Sequence, residues 1–244
     1  MKPFLLLATR AEDVPADEEY ALFLRFTGLD ERDLVRVRME AGPLGGVDLD
    51  DYSGILVGGG PFNASDPIEK KSAVQQRVEA EISALLDEVV ARDFPFFGAC
   101  YGIGTVGAHQ GAVIDGIHRE PISVIEVRKT DAGRADPLLR ELPDAFTAFV
   151  GHKEAISVLP PSATLLVRGD ACPVQMFRVG HNVYATQFHP ELDVDGISTR
   201  IRAYAGHGYF AADELDLTLA AVQRLPVVHT GAILRAFAQR YARP

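Results

Sequence analysis

Phe94-Pro95-Phe96-Phe97-Gly98-Ala99-Cys100-Tyr101-Gly102 runs from an aromatic, strand-length segment straight into a Gly-x-Cys-x-Gly string. The aromatic residues suit a buried strand over Phe94 to Phe97, and the flanking glycines let the chain turn sharply into a following helix. Such an elbow leaves the residue between the glycines exposed at a helix N-terminus, where the end of the helix favours a thiolate. The alternative is a small buried cysteine at a strand end.

The elements on either side suggest the architecture. Upstream, Pro3 to Ala8 reads as a buried strand, Asp17 to Phe26 as a helix and Leu34 to Met39 as an alternating strand. Gly54 to Val57 is a further strand that ends in Gly58-Gly59-Gly60-Pro61. Ala73 to Val90 carries Val74, Val78, Ile82, Leu85, Leu86 and Val89 near a helical period. This alternation predicts an α/β fold, a doubly wound and mostly parallel sheet with helices on both faces. Ligands in such folds sit beyond the carboxyl ends of the strands, where both the glycine turn and Cys100 fall.

Downstream, Val113 to Ile114, Ile122 to Val127, Phe146 to Val150, Leu165 to Val167, Val174 to Val179 and Val183 to Gln187 read as short strands, an added antiparallel portion with a hairpin turn at Gly180-His181-Asn182. Beyond Asp195 the pattern is helical, over Ile197 to Tyr204, Leu215 to Leu225 and Ile233 to Tyr241, with a break at Pro226. The expectation is one α/β domain over residues 1–194, with residues 195–244 a helical extension packed on it. The sequence contains no internal repeat and no low-complexity linker.

Composition narrows the class. A chain of 244 residues with 47% hydrophobic residues can build a sizeable core. A formal net charge of −10 without clustered Lys and Arg speaks against a nucleic-acid partner. The apolar run near the start is too short for a signal sequence, and no eighteen residues are uninterruptedly apolar, so no membrane association is expected and the location expected is cytoplasmic. Two cysteines, Cys100 and Cys172, read as reduced thiols rather than a disulfide.

The candidate partner of Cys100 is His189-Pro190-Glu191. Pro190 biases His189 toward extended geometry, in which residues two apart point the same way. Glu191 can then hold one imidazole nitrogen while the other faces the thiol. The alternative is a surface histidine beside a solvated glutamate; the position just after a buried-looking strand, Tyr184-Ala185-Thr186-Gln187-Phe188, favours the paired reading. Attack by a thiol on a carbonyl makes an oxyanion, and the backbone N–H groups of Tyr101 and Gly60 are the candidate donors, each able to contribute roughly 3 kcal/mol in the transition state. For Gly58 to Gly60 an ordinary tight turn is the plain alternative; a phosphate cradle would call for a Gly-Lys-Ser/Thr ending that is not there.

Four segments together, Gly58-Gly59-Gly60-Pro61, Gly98-Ala99-Cys100-Tyr101-Gly102, Gly151-His152-Lys153-Glu154 and Gln187-Phe188-His189-Pro190-Glu191, resemble the class I glutamine amidotransferases, most closely the glutaminase domain of GMP synthase, across about residues 50–192. The resemblance implies a flavodoxin-like fold, a γ-glutamyl thioester on Cys100 and release of ammonia from glutamine. It makes Cys100 the nucleophile, His189 the general base and acid, Glu191 its orienter, and Gly60 with Tyr101 the oxyanion hole. Gly59, Gly104, His152 and Glu154 become the expected substrate contacts, and no cofactor is implied. One departure stands out. The family's elbow continues Cys-x-Gly-x-Gln, whereas this chain has Gly104 in place of the glutamine, so the expected pocket lacks a polar contact. A second is that no phosphate-binding loop of a pyrophosphatase domain follows; ammonia would go to a separate synthetase or to water.

The expected function is therefore hydrolysis of the side-chain amide of glutamine or of a γ-glutamyl compound. The alternatives are a stand-alone γ-glutamyl peptide or amide hydrolase and, from another class, a non-catalytic binding or regulatory protein. His152 and Glu154 could be a two-ligand metal fragment, but without a nearby third ligand they read as a loop lining the site, and no metal is assigned. Cys172, before Pro173 and without a base nearby in sequence, reads as a partly buried thiol. His109, following the elbow helix, and His207 and His229, in the C-terminal helices, read as structural or surface residues. Arg235, Arg240 and Arg243 read as a solvated helix face.

Overall fold

The computed structural model describes residues 1–205 and 212–244. In β1 (Phe4–Ala8) every residue is buried, which requires cover on both faces of the sheet. The cover comes from two sides. Phe4 and Leu6 pack with Phe23, Phe97 and Phe237, whereas Leu5 and Leu7 pack with Val78, Ile82, Leu86 and Val106. Burying each of these large side chains contributes roughly 1.5–3 kcal/mol. Helix α1 (Asp13–Thr27) stops at Gly28, whose φ of 75° is the left-handed cap that glycine takes without strain. Strand β2 (Leu34–Arg38) alternates apolar residues with arginine and forms one edge of the sheet.

Next come β3 (Gly54–Val57) and α2 (Ala73–Ala91), the latter opened by the Ser72 hydroxyl accepting from the Gln75 N–H. Strand β4 (Phe96–Ala99) starts two residues later than the sequence predicts and includes Gly98 and Ala99. Its register explains this, since Phe96 pairs with Ile55 and Val183, and Ala99 with Thr186. Helix α3 (Tyr101–His109) follows without a connecting loop. Then come β5 (Val113–Asp115), β6 (Glu120–Lys129), α4 (Asp131–Ala135), β7 (Ala145–His152), β8 (Ala155–Val158), β9 (Ala163–Arg168), β10 (Met176–Val179) and β11 (Val183–Thr186). The turn between β10 and β11 contains Gly180 at a φ of 58°. Helices α5 (Val194–Ala203), α6 (Leu215–Val222) and α7 (Gly231–Tyr241) complete the described chain. Among the described residues, no helix is long and apolar enough to cross a membrane.

The sheet order is β2-β1-β3-β4-β11-β10-β9-β6-β7. The first five strands in that order are parallel, and those beyond β11 run antiparallel, so the antiparallel portion extends the same sheet. Strand β11, late in sequence, lies beside β4 and parallel to it. The carboxyl ends of β3, β4 and β11 therefore adjoin, and the segments leaving them are the glycine turn, Cys100 and the His189 segment. Helix α7 buries Ile233, Leu234, Phe237 and Ala238 in the same cluster as β1 and β4.

Two minor expectations change. His229 lies in the loop before α7 rather than within a helix, and its carbonyl accepts from the Ala232 N–H. Arg243 is beyond the end of α7 and half-buried, with its guanidinium over the Phe94 ring and donating to the Leu49 carbonyl, because this end of the chain packs back against Lys2, Leu49 and Ser53. His207 lies outside the described residues.

Candidate active site

Cys100 caps the N-terminus of α3 with φ 52° and ψ −94°. A non-glycine residue in such a conformation is strained by about 1–3 kcal/mol and has to be held there by its surroundings. One restraint is the Cys100 N–H donating to the Thr186 carbonyl of β11 at 2.8 Å. Another is the tightness of the elbow. A Cβ on Gly98 would sit 2.8 Å from the carbonyl carbon and oxygen of Gly102, so the turn closes only without a side chain there. The thiol is half-buried, in contrast to a cysteine sealed at a strand end.

The glycine turn after β3 is crowded from several directions. A Cβ on Gly58 would meet Glu19 Oε2 at 2.6 Å, and one on Gly60 would meet Thr9 Oγ1 at 2.1 Å. A Cβ on Gly59 would meet Arg10 Nη2 at 2.9 Å and His189 Cε1 at 3.0 Å, with Cys100 Cβ at 3.6 Å. None of the three is forced to glycine by its φ; what they permit is the close approach of polar side chains to the backbone.

From β11 the chain enters Gln187, Phe188 and His189, and the His189 N–H donates to the Phe149 carbonyl at 3.0 Å. Its Nδ1 lies 2.8 Å from Glu191 Oε1, and both side chains are buried. The carboxylate can only accept, so Nδ1 carries the proton and Nε2 is left for the thiol beside it. Burial alone would lower the pKa of His189. The neighbouring Cys100 and then Glu191 outweigh it, pushing the imidazole up to about 9. For Glu191, burial opposes the charge, but His189 and Arg200 bring its carboxyl down to about 2.

Behind this pair runs a chain of buried ions. Arg200 of α5 donates through Nη1 to Glu191 Oε1 at 2.9 Å and through Nη2 to Glu19 Oε1 at 2.9 Å. Arg200 Nη1 also lies 3.1 Å from His189 Nδ1; as both are donors, they converge on the same Glu191 oxygen rather than bonding to each other. Arg10, just after β1, donates from Nε to Glu19 Oε1 at 3.1 Å and from Nη1 to the Tyr204 hydroxyl at 3.0 Å. Sequence reasoning missed these residues. A signal existed for Glu19 and Arg200, each a charge on the apolar face of its helix, beside Ala16, Leu22 and Phe23 in α1 and beside Ile197 and Ile201 in α5.

Two cavities meet at Cys100. One, about 370 Å³, is lined by Gly60, Asn63, Tyr101, Gly104, His152 and Glu154, among others. The other, about 480 Å³ with its open mouth, is lined on one side by His189. Gly59 borders neither and packs behind them against His189 and Arg10. The Glu154 carboxylate accepts from the Ala64 and Ser65 N–H groups, each at 2.7 Å. A Cβ on Gly104 would stand 3.1 Å from Glu154 Oε1 and 3.2 Å from Ala64 Cβ. The position is thus bordered by a carboxylate, and the polar contact expected to be missing from the pocket has a neighbour that can supply one. Gln187 lines the same cavity, and its buried Oε1 has no hydrogen-bond partner among the described residues.

His152 is held elsewhere. Its Nδ1 lies 2.8 Å from the Glu154 carbonyl and its Nε2 2.9 Å from Glu120 Oε2, which also accepts from Gln175 Nε2 at 2.7 Å. Glu120, His152 and Cys172 are all buried, with ligand-capable atoms within 4.8 Å of one another, a grouping that could hold a cation and that differs from the His152 and Glu154 fragment considered in sequence. Cys172 is fully buried rather than partly so, and burial followed by Glu120 pushes its thiol up to about 12. His109 bonds to Asp87 and Gln110 near the surface.

The family model described as Glutamine amidotransferase class-I matches residues 33–201. Among curated relatives, a glutamine-hydrolyzing GMP synthase subunit of Thermoplasma volcanium is 29% identical over 59% of this chain and 65% of its own length. Gamma-glutamyl peptidase 3 of Arabidopsis thaliana is 27% identical over 59% of this chain and 56% of its own. The chain spans less than two thirds of the length of the GMP synthase subunits from Thermoplasma volcanium, Thermoplasma acidophilum and Thermococcus kodakarensis, at 65%, 66% and 57%. Among solved structures, a glutamine amidotransferase from Thermotoga maritima has a TM-score of 0.75 at 21% identity, with 99% of this chain and 98% of that chain covered. At that identity the likeness speaks for the fold.

Proposed function

This chain belongs to the class-I glutamine amidotransferase family, and on that basis we propose that it is a cysteine amidohydrolase cleaving the side-chain amide of glutamine or of another γ-glutamyl compound. The observation that carries this reading is the meeting of a strained, half-buried Cys100 with a buried His189 and Glu191 pair at the ends of neighbouring strands.

In this reading the thiol proton rests on His189 Nε2, in keeping with an imidazole pushed up to about 9 beside Cys100, and the thiolate attacks the amide carbon. The N–H of Tyr101 is one of the first in α3 and has no partner within the helix, and with the Gly60 N–H it receives the developing oxyanion. Glu191 keeps Nδ1 protonated and the ring oriented, and its charge favours the imidazolium that forms. Nε2 then returns its proton to the leaving nitrogen, and water releases glutamate from the thioester. Glu154, pinned by two backbone N–H groups in the 370 Å³ cavity, offers a carboxylate to the α-ammonium group of the γ-glutamyl moiety.

The amine product has two destinations. Ammonia could pass to a separate synthetase, as the name of the GMP synthase relatives suggests for them; the second cavity on the His189 side instead favours a stand-alone γ-glutamyl amide hydrolase. Both readings require glutamate release that Cys100→Ala lowers on the order of 10⁴-fold or more. If release survives that change, the thioester reading is wrong. Absence both of turnover and of Cys100 alkylation by a glutamine-like electrophile at neutral pH would return the chain to the class of binding proteins.

A further inference from the structure

The two cavities divide the reacting parts of the site. Cys100 and Gly60 border both, Tyr101 and Glu154 border the first, and His189 borders the second. In amide cleavage the general acid must reach the departing nitrogen, so the leaving group lies on the side of the imidazole and the acyl group on the other. Ammonia is about the size of water, and one such molecule needs roughly 10–15 Å³ of space for its centre. The second cavity offers about 50 Å³ by that measure and opens outward, room for more than ammonia.

The walls of this second cavity specify what would fill it. Pro61, Ile122, Ile197 and the ring of Tyr204 are apolar surface. Arg10 and Arg200 also border it, but each is committed, Arg10 to Glu19 and Tyr204, and Arg200 to Glu191 and Glu19. Arg10, Arg200 and the imidazolium of His189 face the carboxylates of Glu19 and Glu191 and the sulfur of Cys100, so no positive charge is left over for an anion. A carboxylate entering here would lose water without gaining a free cation, whereas an alkyl or aryl group would lose only its contact with water.

We propose that the second cavity is a leaving-group site, and that the substrate is a γ-glutamyl amide whose amine carries a neutral apolar substituent. This rests on the thioester chemistry proposed above. The Cys100 Sγ to Cδ bond forms as the carbonyl pair moves onto oxygen. On collapse the C–N bond breaks, its electron pair stays on nitrogen, and His189 Nε2 protonates that nitrogen to release R–NH₂ into the cavity. Water then attacks the thioester, and its proton passes through His189 to the departing thiolate, giving glutamate and the free thiol.

Steady-state glutamate release from L-glutamine, γ-glutamyl-n-butylamide and γ-glutamyl-leucine tests this. The butylamide should exceed glutamine in kcat/KM by about tenfold or more, the scale on which apolar pockets discriminate by added methylenes. It should also exceed γ-glutamyl-leucine, which carries a carboxylate. Ile122→Trp, on a half-buried strand residue, and Ile197→Phe, on a buried residue of α5, should each lower the ratio of butylamide to glutamine at least about tenfold. Ratios are read within one preparation, so partial misfolding does not mimic the effect. Glutamine as the best substrate, or a parallel fall for both substrates in both variants, overturns the leaving-group site while leaving the thioester reading intact. Preference for γ-glutamyl-leucine overturns the neutral substituent. No turnover of any of the three, with Cys100 inert to alkylation, removes the underlying reading instead.

Discussion

The molecule holds two cysteines, each beside a histidine and a glutamate, and they are opposites in chemistry. Cys100 sits half-buried at the N-terminus of α3, next to a histidine whose Nδ1 is taken by Glu191 and whose Nε2 is left over. Cys172 is fully buried, and the histidine near it has both ring nitrogens facing oxygens of Glu154 and Glu120. The Cys172 thiol points to the Val174 carbonyl and is pushed up to about 12 by burial and then by Glu120. The same three residue types thus stand in two settings, a half-buried thiol at a helix end in one place and a sealed thiol in the other. What separates them is solvent access, a helix end and one uncommitted imidazole nitrogen.

The largest expected difference is in reactivity. At neutral pH, iodoacetamide should label Cys100 on the order of 10²-fold or more faster than Cys172, followed by peptide mass spectrometry. Equal labelling of the native protein would erase the contrast.

Next in size is the loss of Arg200. Arg200→Met leaves Glu19 and Glu191 buried with one cation fewer, and unfolding by urea should show about 3–5 kcal/mol of lost stability. The kcat should fall about 10–100-fold with a smaller change in KM, because the loss reaches the reaction through the orientation of Glu191 and His189. A variant with full stability and unchanged kcat would show that the ion chain is incidental to the site.

A third test uses pH. His189 has its pKa raised from 6.5 to about 9 in the folded protein, so its contribution to stability is complete below 6.5 and is lost as pH rises through 9. Glu191 has its pKa lowered from 4.5 to about 2, so its contribution is complete above 4.5 and is lost as pH falls through 2. Between those limits both are in full force. The imidazole resonances of His189 should titrate near 9 in the wild type and at a lower pH in Glu191→Gln, measured by nitrogen NMR. A midpoint that does not move on that substitution would mean that the carboxylate does not hold the proton.

The smallest effect is expected at the second cysteine. Cys172→Ala removes a buried sulfur from a packed site and should cost about 1–2 kcal/mol, with kcat per folded molecule unchanged. Loss of turnover in that variant would tie the Glu120, His152 and Cys172 group to the reaction.

The site was partly legible before folding was considered. Gly98 and Gly102 announce the elbow because a tight turn excludes side chains, and His189-Pro190-Glu191 announces its pairing because extended residues two apart share a side. The β/α alternation through Gly102 and the turn at Gly180 were equally plain. Strand β8 and helix α4 were not, since four residues paired only with the short β5 and five residues containing Gly133 are too few to display a period. The chain Arg10, Glu19 and Arg200 was hidden for another reason: its members come from separate elements, and a charge on an apolar helix face names no partner.

By itself, then, the sequence determined the local geometry of each motif, because backbone sterics and side-chain periodicity act over a few neighbouring residues. Tertiary structure alone decided that β11 returns beside β4, which brings His189 to Cys100, and that Cys172 rather than Glu154 joins Glu120 and His152. It also decided that Gly104 faces a carboxylate and that two cavities part at the thiol. These follow from strand pairing and from the pairing of buried charges between distant segments, interactions whose strength depends on the low-dielectric interior that exists only once the sheet has closed over them.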